Sequence, residues 1–434
     1  MYTYAMTRVR GLLFLLTSLF VLGVGYAVIQ IAKGYRFDTK TLTFRPSGLF
    51  VVTSSPDGAQ VLVNGKLESA TNATISLPPD RYEIELKKEG FLTWKKTITI
   101  KKEEVTKIDV SLFPAAPSLS ALTFAGAVGP VLSEDGTKIA YGVPISEKAD
   151  EEKVGIWVME LGDLPIGFSR DPRRVASVDP TDLSWAWSPD SRELLVRSSQ
   201  GFSVLDVNSP TPPTALAPIT SLALSETLKD WQEESDKKYM EKFEKLPKTL
   251  RDLLKNQKVE FSPDKNKVFY TAKAEFLIPE GLAISLPGSS TQNEERAVKS
   301  GNTYVYDLKE DKNFLVFSGE LAGAKSLFEE ASESAAQGSQ KTRSVRVSDN
   351  LKIGKSDSPN TLISWFPTSN HLILTESGKI LIQDYDGTNP QTVYAGPYTA
   401  PFAIPLPNTS RLLILTNLGA GGEVVGNLYA VSLR

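Results

Sequence analysis

The side chains in this sequence that can do chemistry are mostly acids, and four of them recur at equivalent places. Glu160, Asp206, Asp307 and Asp384 each fall near the end of a short apolar segment. A carboxylate at a repeated position ordinarily supports a turn or accepts hydrogen bonds from nearby amides. A calcium or catalytic role would need acids from different repeats to converge in space. There is one histidine, His371, and no cysteine. Disulfides, thiolate zinc sites, iron–sulfur clusters and cysteine nucleophiles are thereby excluded, and multi-histidine metal sites and most His-assisted hydrolysis become improbable. His371 opens a predicted strand and reads as a packed or surface residue. No phosphate-binding Gly-x-x-x-x-Gly-Lys-Ser/Thr and no Gly-x-Ser-x-Gly elbow occurs. Gly419-Ala420-Gly421-Gly422 precedes a strand rather than a helix, which makes it a hairpin loop and not a dinucleotide site. The residues therefore assign no catalytic group, no cofactor and no metal. Paired-carboxylate glycosidase chemistry stays open, because the separation of two acids is a three-dimensional fact.

The elements that carry these acids repeat. Leu132-Ser133-Glu134-Asp135-Gly136 precedes the strand 138–141, Trp187-Ser188-Pro189-Asp190 precedes 193–196, and Phe261-Ser262-Pro263-Asp264 precedes 267–270. Weaker copies are Trp365-Phe366-Pro367 before 371–374 and Pro405-Leu406-Pro407 before 411–414. A second strand follows in each unit, at 157–161, 203–207, 304–308, 381–385 and 429–433, and the first four contain the recurring acid. Such a unit cannot bury its apolar face alone, so neighbours must stack, most simply as radial blades. The Ser-Pro-Asp turn with its apolar strand and later V-x-D-L strand resembles TolB-like propellers. That resemblance implies a propeller over residues 119–434, with five legible blades and a sixth available from 119–124. It implies no function, since propellers serve many roles.

Insertions interrupt the repeat at 143–154, 274–302 and 418–426 within units, and near 220–258 and 319–360 between units. In a four-stranded antiparallel blade, all of these emerge on one face, and the Ser-Pro-Asp turns emerge on the other. Loops on a rigid scaffold carry binding, so the insertion-bearing face is the expected working face. Residues 220–258 read as helical: Tyr239, Phe243 and Leu246 fall at i, i+4 and i+7, and Leu250, Leu253 and Leu254 resume the stripe after Pro247. The stripe either packs on its own propeller or forms a lid or docking surface, with Trp231, Phe243 and Leu250 as the candidate partner-binding residues. Residues 321–336 are expected to form a further helix.

Residues 47–113 read as short strands, with Asn64-Gly65 as a hairpin turn and alternation in Tyr82, Ile84, Leu86 and in Ile108, Val110, Leu112. Pro56-Asp57-Gly58-Ala59, Val61, Val63, Asn64-Gly65, Leu77-Pro78-Pro79, Tyr82 and Gly90-Phe91 together resemble the PEGA domain. Asp57 replaces the family's glutamate, and its Gly-x-Thr-Pro segment is degraded to Ser69-Ala70-Thr71-Asn72. The resemblance implies a compact β-sandwich that contacts an envelope component or serves as a rigid spacer.

Upstream, residues 11–32 carry no charge and are long enough as a helix to cross a hydrocarbon core of about 30 Å. A transmembrane signal-anchor is the favoured reading; cleavage near Gly25-Tyr26-Ala27 is the alternative. Arg8 and Arg10 precede the segment, and Lys33, Arg36, Lys40 and Arg45 follow it. Charge counting alone would keep the bulk of the chain inside, but long domains translocate largely regardless of charge. The expected order is a tail at 1–10, the span at 11–32, a linker at 33–46, the PEGA-like sandwich at 47–113, a linker at 114–118 and the propeller at 119–434.

The 434 residues hold 48 Lys and Arg against 51 Asp and Glu. That balance argues against a nucleic-acid partner. The fold class is mainly β: one N-terminal transmembrane helix, a small β-sandwich, then a five- or six-bladed β-propeller with helical insertions. The expected function is a non-enzymatic, extracytoplasmic binding or scaffold protein that contacts an envelope protein or glycan. A glycan-active enzyme and a purely structural spacer are the alternatives.

Overall fold

The computed structural model describes residues 2–32, 35–38, 43–145, 151–162, 171–284, 290–319, 362–418 and 425–434. The expected helix at 321–336 lies outside these residues, as do parts of the insertions at 143–154 and 418–426. The chain divides into two compact units, residues 1–112 with 285–293, and residues 113–284 with 294–434.

The first unit begins with helix α1, Tyr2–Ala32, whose apolar stretch Gly11–Ala32 is not buried by any part of the protein. A short hairpin pairs Arg36–Asp38 with Thr43–Arg45. Then come two facing sheets, one of three strands (Ala73–Leu77, Gly48–Ser55, Val105–Ser111) and one of four (Lys66–Ala70, Gln60–Val63, Asp80–Lys87, Trp94–Ile100). Alternate residues fill the space between them: Phe50 and Val52 from one sheet, Val61, Ile84, Leu86, Trp94 and Ile98 from the other. Asn64 and Gly65 both have positive φ, 50° and 77°, as the hairpin turn requires.

Two strands of this unit, 66–70 and 73–77, are not evident from the sequence. The first is polar and solvent-facing; the second turns Ala73, Ile75 and Leu77 to the core, but over only five residues. The first and last strands of the sandwich run parallel, with Leu49 opposite Val105. Gly48 begins the first of them, where an added Cβ would sit 2.4 Å from the Lys101 carbonyl oxygen, so only glycine fits there. The outer edge of strand 94–100 is covered by residues 291–292: Thr99 N–H donates to Thr291 Oγ1 and Gln292 Nε2 donates to the Thr97 carbonyl. Paired edges of this kind do not recruit other strands.

Among the described residues the second unit is built from five antiparallel sheets of three or four strands, with a two-stranded ribbon, Phe276–Leu277 with Ala297–Val298, beside them. The first comprises Val128–Leu132, Lys138–Val143, Gly155–Glu160 and Arg173–Ala176, and the second Ser184–Trp187, Glu193–Ser198 and Gly201–Asp206. The third holds Lys258–Phe261, Lys267–Thr271, Thr303–Asp307 and Lys312–Phe317, and the fourth Leu362–Trp365, His371–Glu376, Lys379–Asp384 and Gln391–Ala395. The fifth holds Ala403–Pro405, Arg411–Thr416 and Asn427–Ser432, and its outer strand is Leu119–Ala121 from the start of the unit. The segment expected to seed a sixth blade therefore closes the fifth. The second sheet has no fourth strand because the chain after Asp206 runs through Pro210, Pro212, Pro213 and Pro218, which cannot donate to a ladder.

The sheets stack face to face around a ring. Ile139, Tyr141 and Met159 of the first pack on Leu413 and Leu428 of the fifth, while Ala140 and Ile156 face Trp185 and Leu194 of the second. Phe269 and Val305 of the third pack on Ile363 and Leu372 of the fourth. Thr399 N–H, in the crossover leaving the fourth sheet, donates to the Leu415 carbonyl of the fifth. Two helices, α2 (Ser221–Phe243) and α3 (Lys248–Leu254), occupy the connection between the second and third sheets. The unit is a β-propeller.

Candidate functional site

The recurring acids have a simple cause. Each ends the third strand of its sheet and pairs across the ladder with the first residue of the second strand: Lys138 with Glu160, Glu193 with Asp206, Lys267 with Asp307 and His371 with Asp384. The turns that precede those second strands are also alike. Gly136, Ser191, Lys265, Ser369 and Thr409, each two residues before its strand, all have φ between 59° and 70°. In the three strong copies, the motif serine Oγ donates to the aspartate two residues on, at 2.6 Å, and accepts the N–H of the strand's first residue, at 2.9 Å. The turns also join neighbouring sheets. Asp135 N–H donates to Ser191 Oγ, and Asp264 N–H donates to Ser369 Oγ.

These bonds govern the acids' protonation. Burial alone would raise the Asp264 carboxyl, but hydrogen bonds from Ser262 and Asn266 and the nearby charge of Lys267 hold it down at about 2. Asp135 and Asp190 are lowered by the same kinds of partner against the same opposing burial. A carboxyl held below its unfolded value stabilises the fold fully above that value, and the contribution is lost as pH falls through the folded one. We expect the propeller's urea midpoint to be flat above about pH 5 and to drop between about pH 4 and 2. Asp264→Asn should flatten part of that drop; an unchanged acid limb would contradict this account.

At the ends of the third and fourth sheets the ladder pairs are buried. Lys267 and Asp307 are 6% and 4% exposed, with Nζ 3.7 Å from Oδ2. Lys267 Nζ also lies 4.5 Å from the centroid of the Tyr385 ring and donates to Asn370 Oδ1 of the next turn. Burial first, then the charge of Glu310, pushes the Tyr385 hydroxyl well above its ordinary range. His371 is buried between the edges of Phe113 and Phe366, with Nδ1 2.8 Å from Thr368 Oγ1 and Nε2 3.8 Å from Asp384 Oδ1. It is a packing residue. Glu193 differs in facing other acids: burial, then Asp190 and Asp206, raise its carboxyl, opposed by a hydrogen bond from Trp231. Among the described residues no three His, Asp or Glu side chains are grouped so as to hold a metal.

The opposite face is of another character. Strand order in the five larger sheets puts the described loop residues 144–145, 151–154, 272–284, 294–302, 417–418 and 425–426 on one side, together with the crossovers 122–127, 177–183 and 396–402. Among the described residues of this unit ten large apolar side chains are exposed: Leu119, Phe124, Ile145, Leu222, Tyr239, Met240, Leu277, Ile284, Leu362 and Leu418. Seven of them lie on this side, all but Leu119, Tyr239 and Met240. Phe124, Ile145, Leu277 and Ile284 are 77%, 70%, 67% and 89% exposed. Side-chain exposure of this kind has no signature in the sequence beyond the loop lengths.

The predicted anchors on the helices are elsewhere. Helix α2 starts on the insertion side, where Thr220 Oγ1 caps Ala223 N–H and Ile219 N–H donates to Phe202 O. It runs for about 34 Å at 1.5 Å per residue to the other side, where Lys238 Nζ donates to the Pro189 carbonyl of a Ser-Pro-Asp turn. Trp231, Phe243 and Leu250 are 6%, 8% and 0% exposed. Trp231 packs with Leu224 and Leu228 on Leu195 of the second sheet. Phe243 and Leu250 pack with Leu254 on Tyr270, Tyr304 and Tyr306 of the third. None of the three presents a surface to a partner in this structure, because the stripe fills the gap between two sheets. The insertion-side residue of α2 is Leu222, 71% exposed.

Residues 47–116 match the family described as the PEGA domain. No curated protein matches the sequence significantly. Among solved structures, a protein assigned as TolB from Agrobacterium tumefaciens is 11% identical, with 67% of this chain and 70% of that one covered and a TM-score of 0.19. TolB from Acinetobacter baumannii is 12% identical over 86% of this chain and 63% of that one, with a TM-score of 0.21. The β-propeller domain of Cps50 (Swd1) from Myceliophteria thermophila is 9% identical over 74% of this chain and all of that domain, with a TM-score of 0.24.

Proposed function

We propose that this protein is a membrane-anchored, extracytoplasmic binding or scaffold protein without catalytic activity. Its propeller docks an envelope protein through the insertion-bearing face. The observation that carries the reading is that, among the described residues of the propeller, seven of the ten exposed large apolar side chains lie on that one face. A cluster of exposed apolar residues on an otherwise polar surface marks an interaction site, and long loops on a rigid scaffold carry it. The PEGA match and the uncharged stretch Gly11–Ala32 of the N-terminal helix support an envelope location. The recurring acids on the opposite side stand at turn and ladder positions, which supports a structural use for them.

Photo-crosslinking in living cells tests this. A crosslinking side chain at Phe124, Ile145 or Leu277 should give discrete protein adducts. The same group at Glu134 or Lys265, in the Ser-Asp turns, should give few. Adducts confined to the turn positions would overturn the assignment of the face. Protease shaving, with spheroplasts included where an outer membrane is present, should release propeller peptides without breach of the inner membrane. Protection until that breach would place the domains in the cytoplasm and sink the envelope reading.

A further inference from the structure

The PEGA-like module has an unusual end beside the membrane helix. Tyr35 N–H donates to the Gln30 carbonyl at 2.9 Å, so the aromatic residue sits just past the last turn of the span. Lys102 Nζ lies 5.4 Å from the centroid of that ring, which places the loop 101–104 of the sandwich at the same level. Next to the loop, Leu49 and Val105 are cross-strand neighbours on the outward face of the three-stranded sheet, 40% and 47% exposed. Outside helix α1, Leu67 is the other exposed large apolar residue of this unit among the described residues. Lys107, exposed, is the next outward residue after Val105.

Charge points the same way. The connection between the span and the sandwich carries Lys33, Arg36, Lys40 and Arg45 against one acid, Asp38. Lys101 and Lys102 have acid neighbours, Glu104 at 3.6 Å and Glu103 at 3.7 Å, and both lysines stay largely exposed. Tyrosine beside lysine at the end of an apolar span suits the headgroup layer, where an aromatic ring and a long cationic stem each keep one end dry and one end wet. A pair of aliphatic side chains with cations around it suits the same layer.

We propose that this end of the PEGA-like module seats on the anionic lipid surface of the membrane that holds the helix. Leu49 and Val105 enter the headgroup boundary, and Lys101 and Lys102 meet lipid phosphates. Two aliphatic residues bind a bilayer weakly, so the seat depends on the high local concentration that the anchor imposes. The inference rests on the helix being retained as an anchor.

The absence of cysteine makes the test direct. Single cysteines at Val105, Leu67 and Leu19, labelled with an environment-sensitive fluorophore, are compared in the full chain in nanodiscs with brominated acyl chains. In discs containing phosphatidylglycerol, the Val105 label should be quenched several-fold more than the Leu67 label. Phosphatidylcholine discs, high salt or the pair Lys101→Glu and Lys102→Glu should each reduce that quenching. Equal quenching at Val105 and Leu67 would overturn the proposal, as would quenching at Val105 that ignores lipid charge. Protection of the Val105 label by an added anionic polysaccharide but not by lipid would assign the surface to a glycan and also overturn it. An unquenched Leu19 label would remove the anchor itself, so the two failures are distinguishable.

Discussion

Lys267→Met should lower the stability of the propeller by about 3–5 kcal/mol, although it keeps most of the side chain's apolar stem. The cost comes from the partner left behind: a buried carboxylate stripped of its cation is strongly destabilising. Asp307 is 4% exposed, and its other oxygen already accepts the N–H groups of Lys309 and Glu310. Its burial keeps it from exchanging the lysine for bulk solvent, and the Tyr385 ring loses the cation at 4.5 Å. Asp307→Asn should cost less than Lys267→Met, because the amide oxygen can still accept from Lys309 and Glu310. Adding it to Lys267→Met should recover part of the loss. A double-mutant cycle on urea unfolding, followed by tryptophan fluorescence in detergent, measures the coupling. Additive effects, or a loss below about 1 kcal/mol for Lys267→Met, would show that the pair is hydrated and the burial argument fails.

Why this pair and not another follows from the ladder position it shares with three others. Lys138 and Glu160 hold the same places but stay partly solvated, so they resemble an exposed pair of small value. Glu193 and Asp206 are like-charged, and helix α2 lies against them with Trp231 bonded to Glu193. The repeat thus fixes where a charged residue stands. What covers that place decides what the charge contributes.

The same distinction separates what could be read in the sequence from what could not. Asn64-Gly65, the Ser-Pro-Asp turns and the strands after them were legible because their signals are local, a turn residue with a required φ followed by apolar alternation. The pairing of Leu119–Ala121 with Asn427–Ser432 spans about 300 residues, and its three residues carry no pattern, so a sixth blade was an equally good reading of them. Strand 66–70 is polar and exposed and offers no alternation to detect, and 73–77 alternates over only five residues, too short a run to stand out. The covering of the Trp94–Ile100 edge by Thr291 and Gln292 depends on contacts almost 200 residues apart. For the candidate site, strand parity was enough to collect the long loops on one face. It could not show that Phe124, Ile145, Leu277 and Ile284 would stand exposed there. Nor does an amphipathic stripe tell a helix that covers its own protein from one that awaits a partner; Trp231, Phe243 and Leu250 satisfy both patterns.

That ambiguity has a measurable resolution. Leu250→Ala should cost about 2–5 kcal/mol, because the side chain is fully buried and its removal opens a cavity that the surrounding rings cannot fill by rotation. Its neighbours Tyr270, Tyr304 and Tyr306 are themselves fully buried and held by stacking and hydrogen bonds. Trp231→Ala should cost about 3–5 kcal/mol, and it also leaves Glu193 without its indole partner next to Asp190 and Asp206. Leu222→Ala, at the second residue of the same helix but 71% exposed, should change stability by less than about 0.5 kcal/mol. Its effect should appear instead in the yield of crosslinks from the insertion-bearing face. The three variants together separate packing from docking within one helical insertion. Thermal unfolding that moves for Leu250→Ala and Trp231→Ala, with crosslinking reduced only by Leu222→Ala, is the expected result. Crosslinking lost in Trp231→Ala with unfolding unchanged would mean that α2 leaves the propeller to bind its partner, and the wedge described between the second and third sheets would be a resting state.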